Sequence, residues 1–296
     1  MKELVIISGK GGTGKTSLTA AFAQLADNAV LADCDVDAAD LHLVLAPNIK
    51  ERHDFYSGHA AIIRQEDCAK CGACLAHCRF DAVKMDGKGA GNATFTIDPV
   101  ACEGCGVCVR FCPVQAIDFP EQLCGEWMIS ETDYGPMTHA RLNTAAENSG
   151  KLVATVRREA KKLAEANEHS LIIVDGPPGI GCPVIASVTG ASLVLAVTEP
   201  TVSGQHDLER VLELTKHFKI PTAVCVNKWD INEAMTQQIE ARAQEAGAIP
   251  AGRIRYDIAV TKAQVCGKPV LMFPESIAAQ DINALWTRIQ TIISTS

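Results

Sequence analysis

Two four-cysteine runs constrain this chain more than any other feature: Cys68-x2-Cys71-x2-Cys74-x3-Cys78 and Cys102-x2-Cys105-x2-Cys108-x3-Cys112-Pro113. They start 34 residues apart, and each is followed by a similar phrase, Asp81-Ala82-Val83 and Gln115-Ala116-Ile117. In this spacing three close thiolates hold three irons of one cube, and the fourth Cys of each run reaches the other cube. The pattern predicts two [4Fe–4S] clusters in one duplicated unit. Cys68, Cys71, Cys74 and Cys112 would hold one, and Cys102, Cys105, Cys108 and Cys78 the other. Zinc, the competing metal, favours paired Cys-x2-Cys ligands split by a longer loop. Pro113 follows the last Cys of the second run, but Arg79 stands at that place in the first, where its charge could shift a potential.

Eight of the 13 cysteines fall in these runs, so they read as metal ligands in a reducing cytoplasm and not as disulfides. Cys34, Cys124, Cys182, Cys225 and Cys266 share no spacing and are expected to be small buried hydrophobes. The net charge of −8 argues against a nonspecific grip on nucleic acid, which needs a basic surface. No apolar run approaches the roughly 20 residues needed to cross a bilayer, so no membrane insertion is expected. Met1-Lys2-Glu3 leads straight into an apolar strand, which leaves no room for a cleavable signal peptide and points to the cytoplasm.

Outside the cysteine runs the chain alternates short apolar segments with longer amphipathic ones. Leu4–Ile7, residues 29–33, Leu171–Val174, Leu193–Val197 and Ala223–Val226 read as buried strands bounded by Gly, Pro or Asp. Helices are expected near 14–26 and 151–167. This rhythm predicts an α/β domain with a mostly parallel sheet flanked by helices. Residues 60–120 break it, being dense in Cys and Gly, with a polar link at Asp86–Asn92. The expected organisation is a discontinuous α/β domain, 1–59 and 121–296, carrying a small inserted α+β ferredoxin-like domain at 60–120. The segment 121–150 gives no clear pattern.

Gly9-Lys10-Gly11-Gly12-Thr13-Gly14-Lys15-Thr16 satisfies the P-loop pattern, directly after a strand and before a helix. Its glycines let backbone N–H groups close around phosphate oxygens, and the helix N-terminus adds positive potential. Lys15 should reach the β- and γ-phosphates and Thr16 should bind Mg²⁺, with Ser17 beside them.

The second lysine, Lys10, makes this loop resemble the deviant P-loop of the MinD/ParA and nitrogenase iron protein class of ATPases. The resemblance implies that Lys10 crosses a dimer interface to the partner's nucleotide, and hence a nucleotide-dependent homodimer. It also makes Ala32-Asp33-Cys34-Asp35 similar to switch I, with Asp35 beside the attacking water and Asp33 nearer the Mg²⁺ shell. Asp37 and Asp40 would be solvated or structural. Asp175-Gly176-Pro177-Pro178-Gly179 looks like Walker B and switch II: Asp175 would hold the Mg²⁺ water shell and the Gly179 N–H would sense the γ-phosphate. Asn227 would read adenine, although Asn227-Lys228-Trp229-Asp230 also matches the guanine reader of GTPases; the deviant P-loop favours ATP and ADP. Cys182 lies where the iron protein has a ligand for an intersubunit cluster, but no second cysteine lies between Cys124 and Asp175 to complete one.

Residues 275–293 place Ile277, Ile282, Leu285, Trp286, Ile289, Ile292 and Ile293 at helical spacing. With Arg288 their only cation, they read as a helix covering the sheet and not as a membrane anchor. These features together predict an ATP-binding and ATP-hydrolysing dimeric switch coupled to two [4Fe–4S] clusters. It would gate electron transfer or iron–sulfur handling with an unidentified partner protein. The alternative is a positioning or scaffold ATPase whose clusters are structural or redox-sensing.

Overall fold

The computed structural model describes residues 1–87, 93–143 and 149–295. The chain forms two compact units, one of Met1–His53, Glu126–Arg141 and Ser149–Ser296, the other of Asp54–Gly125 and Leu142–Asn148. The boundaries lie outside the expected 60 and 120 because two 12-residue strands, Asn48–His59 and Glu121–Thr132, run across them. Neither strand is legible in the sequence. Their charged, alternating residues lack the continuous apolar signal of a buried parallel strand.

The nine-stranded sheet has the spatial order Ile249–Ile254, Thr222–Asn227, Leu193–Thr198, Lys2–Ser8, Leu171–Pro178, Ala29–Asp33, Gly135–Leu142, Glu121–Thr132, Asn48–His59. Consecutive pairs from Ile249–Ile254 through Gly135–Leu142 are parallel. Leu4, Val5, Ile6 and Ile7 are all fully buried, which explains their unbroken apolar run: both faces of the sheet are covered. Leu4 and Ile6 point to the face where Phe22, Leu31, Leu285 and Trp286 pack. The helix Ile277–Thr295 buries Ile282, Leu285, Trp286, Ile289 and Ile292, with Trp286 4.8 Å from the Phe22 ring centre. The C-terminal segment is therefore a core helix.

On the opposite face the helix Ser149–Ala166 buries Leu152, Val153, Val156 and Ala160. Arg157 anchors it: its Nε donates to Glu3 at 2.7 Å, and its Nη1 donates to the Ala186 and Thr189 carbonyls.

The second unit is built on the duplication. Left-handed backbone recurs at matching places: Lys70 and Gly104, Gly72 and Gly106, Asp81 and Gln115, each pair 34 residues apart with φ values within a few degrees. A short helix follows Gly72 at Ala73–His77, and another follows Gly106 at Val107–Arg110. Glycine at 104 is also required sterically, because a Cβ there would lie 2.4 Å from the His59 carbonyl. Two short antiparallel pairs, Ile62–Ile63 with Ile117–Asp118 and Val83–Asp86 with Thr94–Ile97, complete the unit. Its small core of Ile63, Val83, Phe95 and Ile117 has six of the eight run cysteines packed in or against it. All of the polar link after Gly87 lies outside the described residues.

Candidate functional site

The P-loop leaves the strand Lys2–Ser8 and enters the helix Lys15–Leu25 through Gly14 at φ +93. That conformation suits glycine, and a Cβ at Gly14 would also come within 2.6 Å of Asn227 Nδ2. Asn227 Nδ2 donates to the Thr13 carbonyl at 2.8 Å, and Asn227 Oδ1 accepts the Lys228 N–H. Asn227 therefore braces the loop, and these two bonds leave one amide hydrogen and one oxygen lone pair unengaged. A cavity of about 520 Å³ opens here, lined by Gly11, Gly12, Gly14, Lys15, Thr16, Ser17 and Asp35. Ser17 Oγ accepts from Gln264, a cavity-lining residue that belongs to no motif of the chain.

Asp33 and Asp175 are register partners on adjacent parallel strands, so their carboxylates share the end of the sheet where the P-loop turns. Both are buried. Burial and the charge of Asp175 push the Asp33 carboxyl well above the ordinary range. Burial also raises Asp175, while Lys15 and the hydroxyls of Thr16 and Thr19 act against it. Asp35, whose Oδ2 lies 3.9 Å from Lys15 Nζ, is raised by burial to about 6 despite that lysine. Asp33 Oδ2 and Asp175 Oδ2 are buried without hydrogen-bond partners. Orphaned, crowded carboxylate oxygens beside a threonine hydroxyl are the hard oxygen donors that suit Mg²⁺, directly or through its waters.

Four expected residues, Gly179, Cys182, Cys266 and Lys10, have partners or exposure that local sequence does not reveal. The Gly179 N–H, expected to sense a γ-phosphate, donates to the Ser8 carbonyl at 2.8 Å. This bond ties the end of the switch-II-like strand to the loop's own strand and occupies the donor. Cys182 and Cys266, expected to be buried, are exposed, whereas Cys34, Cys124 and Cys225 are buried. Cys182 opens the helix Cys182–Val188, where an N-terminal position leaves its side chain outside the packed face. Lys10 is tied to its own chain: its Nζ donates to Ser203 at 3.2 Å and lies 3.6 Å from Glu199, which also binds Lys228. Asp230 accepts the Tyr256 N–H at 2.7 Å and so holds a neighbouring loop.

In the second unit the eight run cysteines surround two cavities. One is lined by Cys68, Cys71, Cys74 and Cys112, the other by Cys78, Cys102, Cys105 and Cys108. Each set takes three thiols from one run and the fourth from the other. Backbone donors face the crossing residues: the Ala116 N–H donates to Cys112 Sγ at 3.2 Å. At Cys78 burial alone would raise the thiol, but the N–H groups of Phe80, Val83 and Ala82 bring it below its ordinary value. Four thiols and inward N–H groups form the donor set that a cubane cluster takes. Among the described residues no group of three or more His, Cys, Asp or Glu is placed to hold a single metal ion.

Residues 4–270 match the family model of the CobQ/CobB/MinD/ParA nucleotide binding domain. The chain belongs to this nucleotide-binding family. A relative within reach is the uncharacterized protein MJ0578 of Methanocaldococcus jannaschii, 35% identical over 235 residues, covering 78% of this chain and 79% of that one. The septum site-determining protein MinD of Pyrococcus horikoshii, solved with Mg-ADP, has the same fold at a TM-score of 0.58 and 17% identity, covering 99% and 98% of the two chains. A 70-residue stretch is 34% identical to the pyruvate synthase subunit PorD of M. jannaschii, covering 24% of this chain and 77% of PorD. As a family member the chain is a P-loop NTPase with a largely parallel sheet flanked by helices. No helix among the described residues is long and apolar enough to cross a membrane.

Proposed function

We propose that this protein is an ATP-hydrolysing dimeric switch coupled to two [4Fe–4S] clusters, gating electron transfer or iron–sulfur handling with a partner protein. One observation carries the cluster half of this reading: each of two cavities is lined by four cysteines drawn from both runs. When bound, the clusters supply one-electron chemistry at potentials set by their surroundings.

At the nucleotide site, Lys15 and the loop's N–H groups bind and orient the phosphates, and Thr16 with the Asp33 and Asp175 carboxylates holds Mg²⁺ and its waters. Asp35 positions the attacking water. Family membership supports ATP or ADP as the ligand, and engagement of Asp230 by Tyr256 weighs against a guanine reader. Lys10 leaves Ser203 and Glu199 when two chains close on nucleotide, and Gly179 exchanges the Ser8 carbonyl for a γ-phosphate oxygen. A nucleotide moves the clusters only through its differential affinity for the open and closed states.

An anaerobic EPR redox titration, without nucleotide and with MgADP or a nonhydrolysable MgATP analogue, tests the coupling. A cluster potential that moves with the analogue supports the gated reading. Fixed potentials in a protein that still dimerises favour the second reading, a positioning or scaffold ATPase, which rests on the same family membership.

A further inference from the structure

Ser17, in the first turn of the helix Lys15–Leu25, is buried and lines the cavity at the P-loop. A serine hydroxyl carries one proton and two lone pairs. In a helix it commonly donates that proton to the carbonyl four residues back. Thr19, Thr155 and Thr236 do so in this chain. Ser17 does not, and the Thr13 carbonyl four residues before it takes the Asn227 amide at 2.8 Å instead. Among the described residues the Ser17 hydroxyl donates to no acceptor.

Gln264 fixes the oxygen of that hydroxyl. Its Nε2 donates to Ser17 Oγ at 2.8 Å, and it lines the same cavity. The helix that carries it, Ile258–Val265, is firmly held. Asp257 caps it by accepting the Ala259 N–H and also accepts the Ser276 hydroxyl at 2.6 Å, while Ala263 packs into the core. A rigid element thus engages one lone pair of Ser17, and Asn227 occupies its usual acceptor. What remains is a proton facing the cavity beside Lys15, where an anionic oxygen takes it best.

We propose that Gln264 is a positioning residue for the nucleotide, holding Ser17 so that its hydroxyl donates to a phosphate oxygen that ADP and ATP share. The proposal rests on reading this cavity as the nucleotide site. Sheet order selects the phosphate. Asp175 and Asp33, the carboxylates on the Mg²⁺ side, stand on the two strands to one side of the P-loop strand Lys2–Ser8. Asn227 and the helix of Gln264 follow from strands on the other side. Gln264 therefore reaches the cavity away from the terminal phosphate and acts on binding, not on the chemical step.

The test is calorimetry of MgADP and of a nonhydrolysable MgATP analogue on the full chain, with steady-state phosphate release from MgATP. Gln264→Ala should raise both dissociation constants by about three- to tenfold. KM should rise with them while kcat and the thermal midpoint stay unchanged, a split that a merely structural role would not give. Gln264→Glu should weaken both nucleotides further, because its carboxylate accepts the Ser17 proton itself. In a Ser17→Ala chain, Gln264→Ala should change either constant by less than about twofold, since the bond it serves is already gone. Unchanged constants in Gln264→Ala, an equal loss in the Ser17→Ala chain, or a loss confined to the triphosphate overturns this role alone. A wild type that binds neither nucleotide overturns the nucleotide site and this role together.

Discussion

Asp35 faces two opposing influences. Burial raises its pKa to about 6, while Lys15 at 3.9 Å pulls it down, so at neutral pH it is mostly ionised and close to proton exchange with water. Asp35→Asn keeps the shape and removes the basic oxygen. Phosphate release should fall by about 10²–10⁴-fold, with MgATP affinity by calorimetry nearly unchanged. A loss of affinity as large as the loss of rate would assign Asp35 to ligand binding instead.

A second residue predicts a pH effect on stability. His139 is buried against Ser130 Oγ at 2.8 Å, and desolvation, helped by His42 and Arg52, lowers its pKa from 6.5 to about 4. The unfolded chain therefore takes up this proton near pH 6.5 while the folded chain resists it down to about 4. His139 costs nothing above that window, and stability falls by up to about 3 kcal/mol as pH drops through it. Urea unfolding of His139→Gln should show a shallower loss between pH 6.5 and 4 than the wild type. Parallel curves would place the acid sensitivity elsewhere.

At the scale of elements, the helix Ser149–Ala166 is held to the sheet by more than its apolar stripe. Arg157 and Glu3 are both buried, and the guanidinium also caps two carbonyls at the end of Cys182–Val188. Arg157→Ala leaves the Glu3 carboxylate buried, with only the partly exposed Lys161 beside it, and should cost about 3–5 kcal/mol in denaturant unfolding. Replacing both residues by apolar ones of similar volume should recover much of that loss, because the pair's own desolvation cost disappears with it. The helix itself was legible from its Lys-, Glu- and Ala-rich sequence. Its clamp was not, since Glu3 and Arg157 lie 154 positions apart.

At the scale of the whole molecule, the cysteine sets carry a connectivity that mutation can read. Cys78 belongs to the first run by sequence but lines the cavity of Cys102, Cys105 and Cys108. Cys78→Ser should therefore perturb the site of the second run and leave that of Cys68, Cys71 and Cys74 intact. Iron content and EPR of the reduced protein check this, with Cys112→Ser giving the reciprocal result. If Cys78→Ser removed the signal lost in Cys71→Ser, each run would serve its own site. The cavities themselves required the tertiary structure, whereas the expectation that each run lends its fourth thiol to the other set comes from the spacing alone. The strands Asn48–His59 and Glu121–Thr132 escaped notice because a strand with exposed, charged positions has no continuous apolar run to betray it.

By itself the sequence determined the local chemistry: a phosphate-binding loop after a buried strand, two duplicated cysteine runs, and an amphipathic helix that covers the sheet. Each is written in contiguous residues whose spacing the backbone obeys directly. The tertiary structure alone decided the relations between distant positions. It paired Asp33 with Asp175 across two strands, left their outer oxygens without partners, and set Asn227 against Thr13. It also turned Cys182 outward, occupied the Gly179 N–H with Ser8, and tied Lys10 to Ser203 and Glu199. The physical reason is common to all of these: burial and hydrogen-bond partnership depend on what the rest of the chain brings alongside, and local spacing carries no record of that.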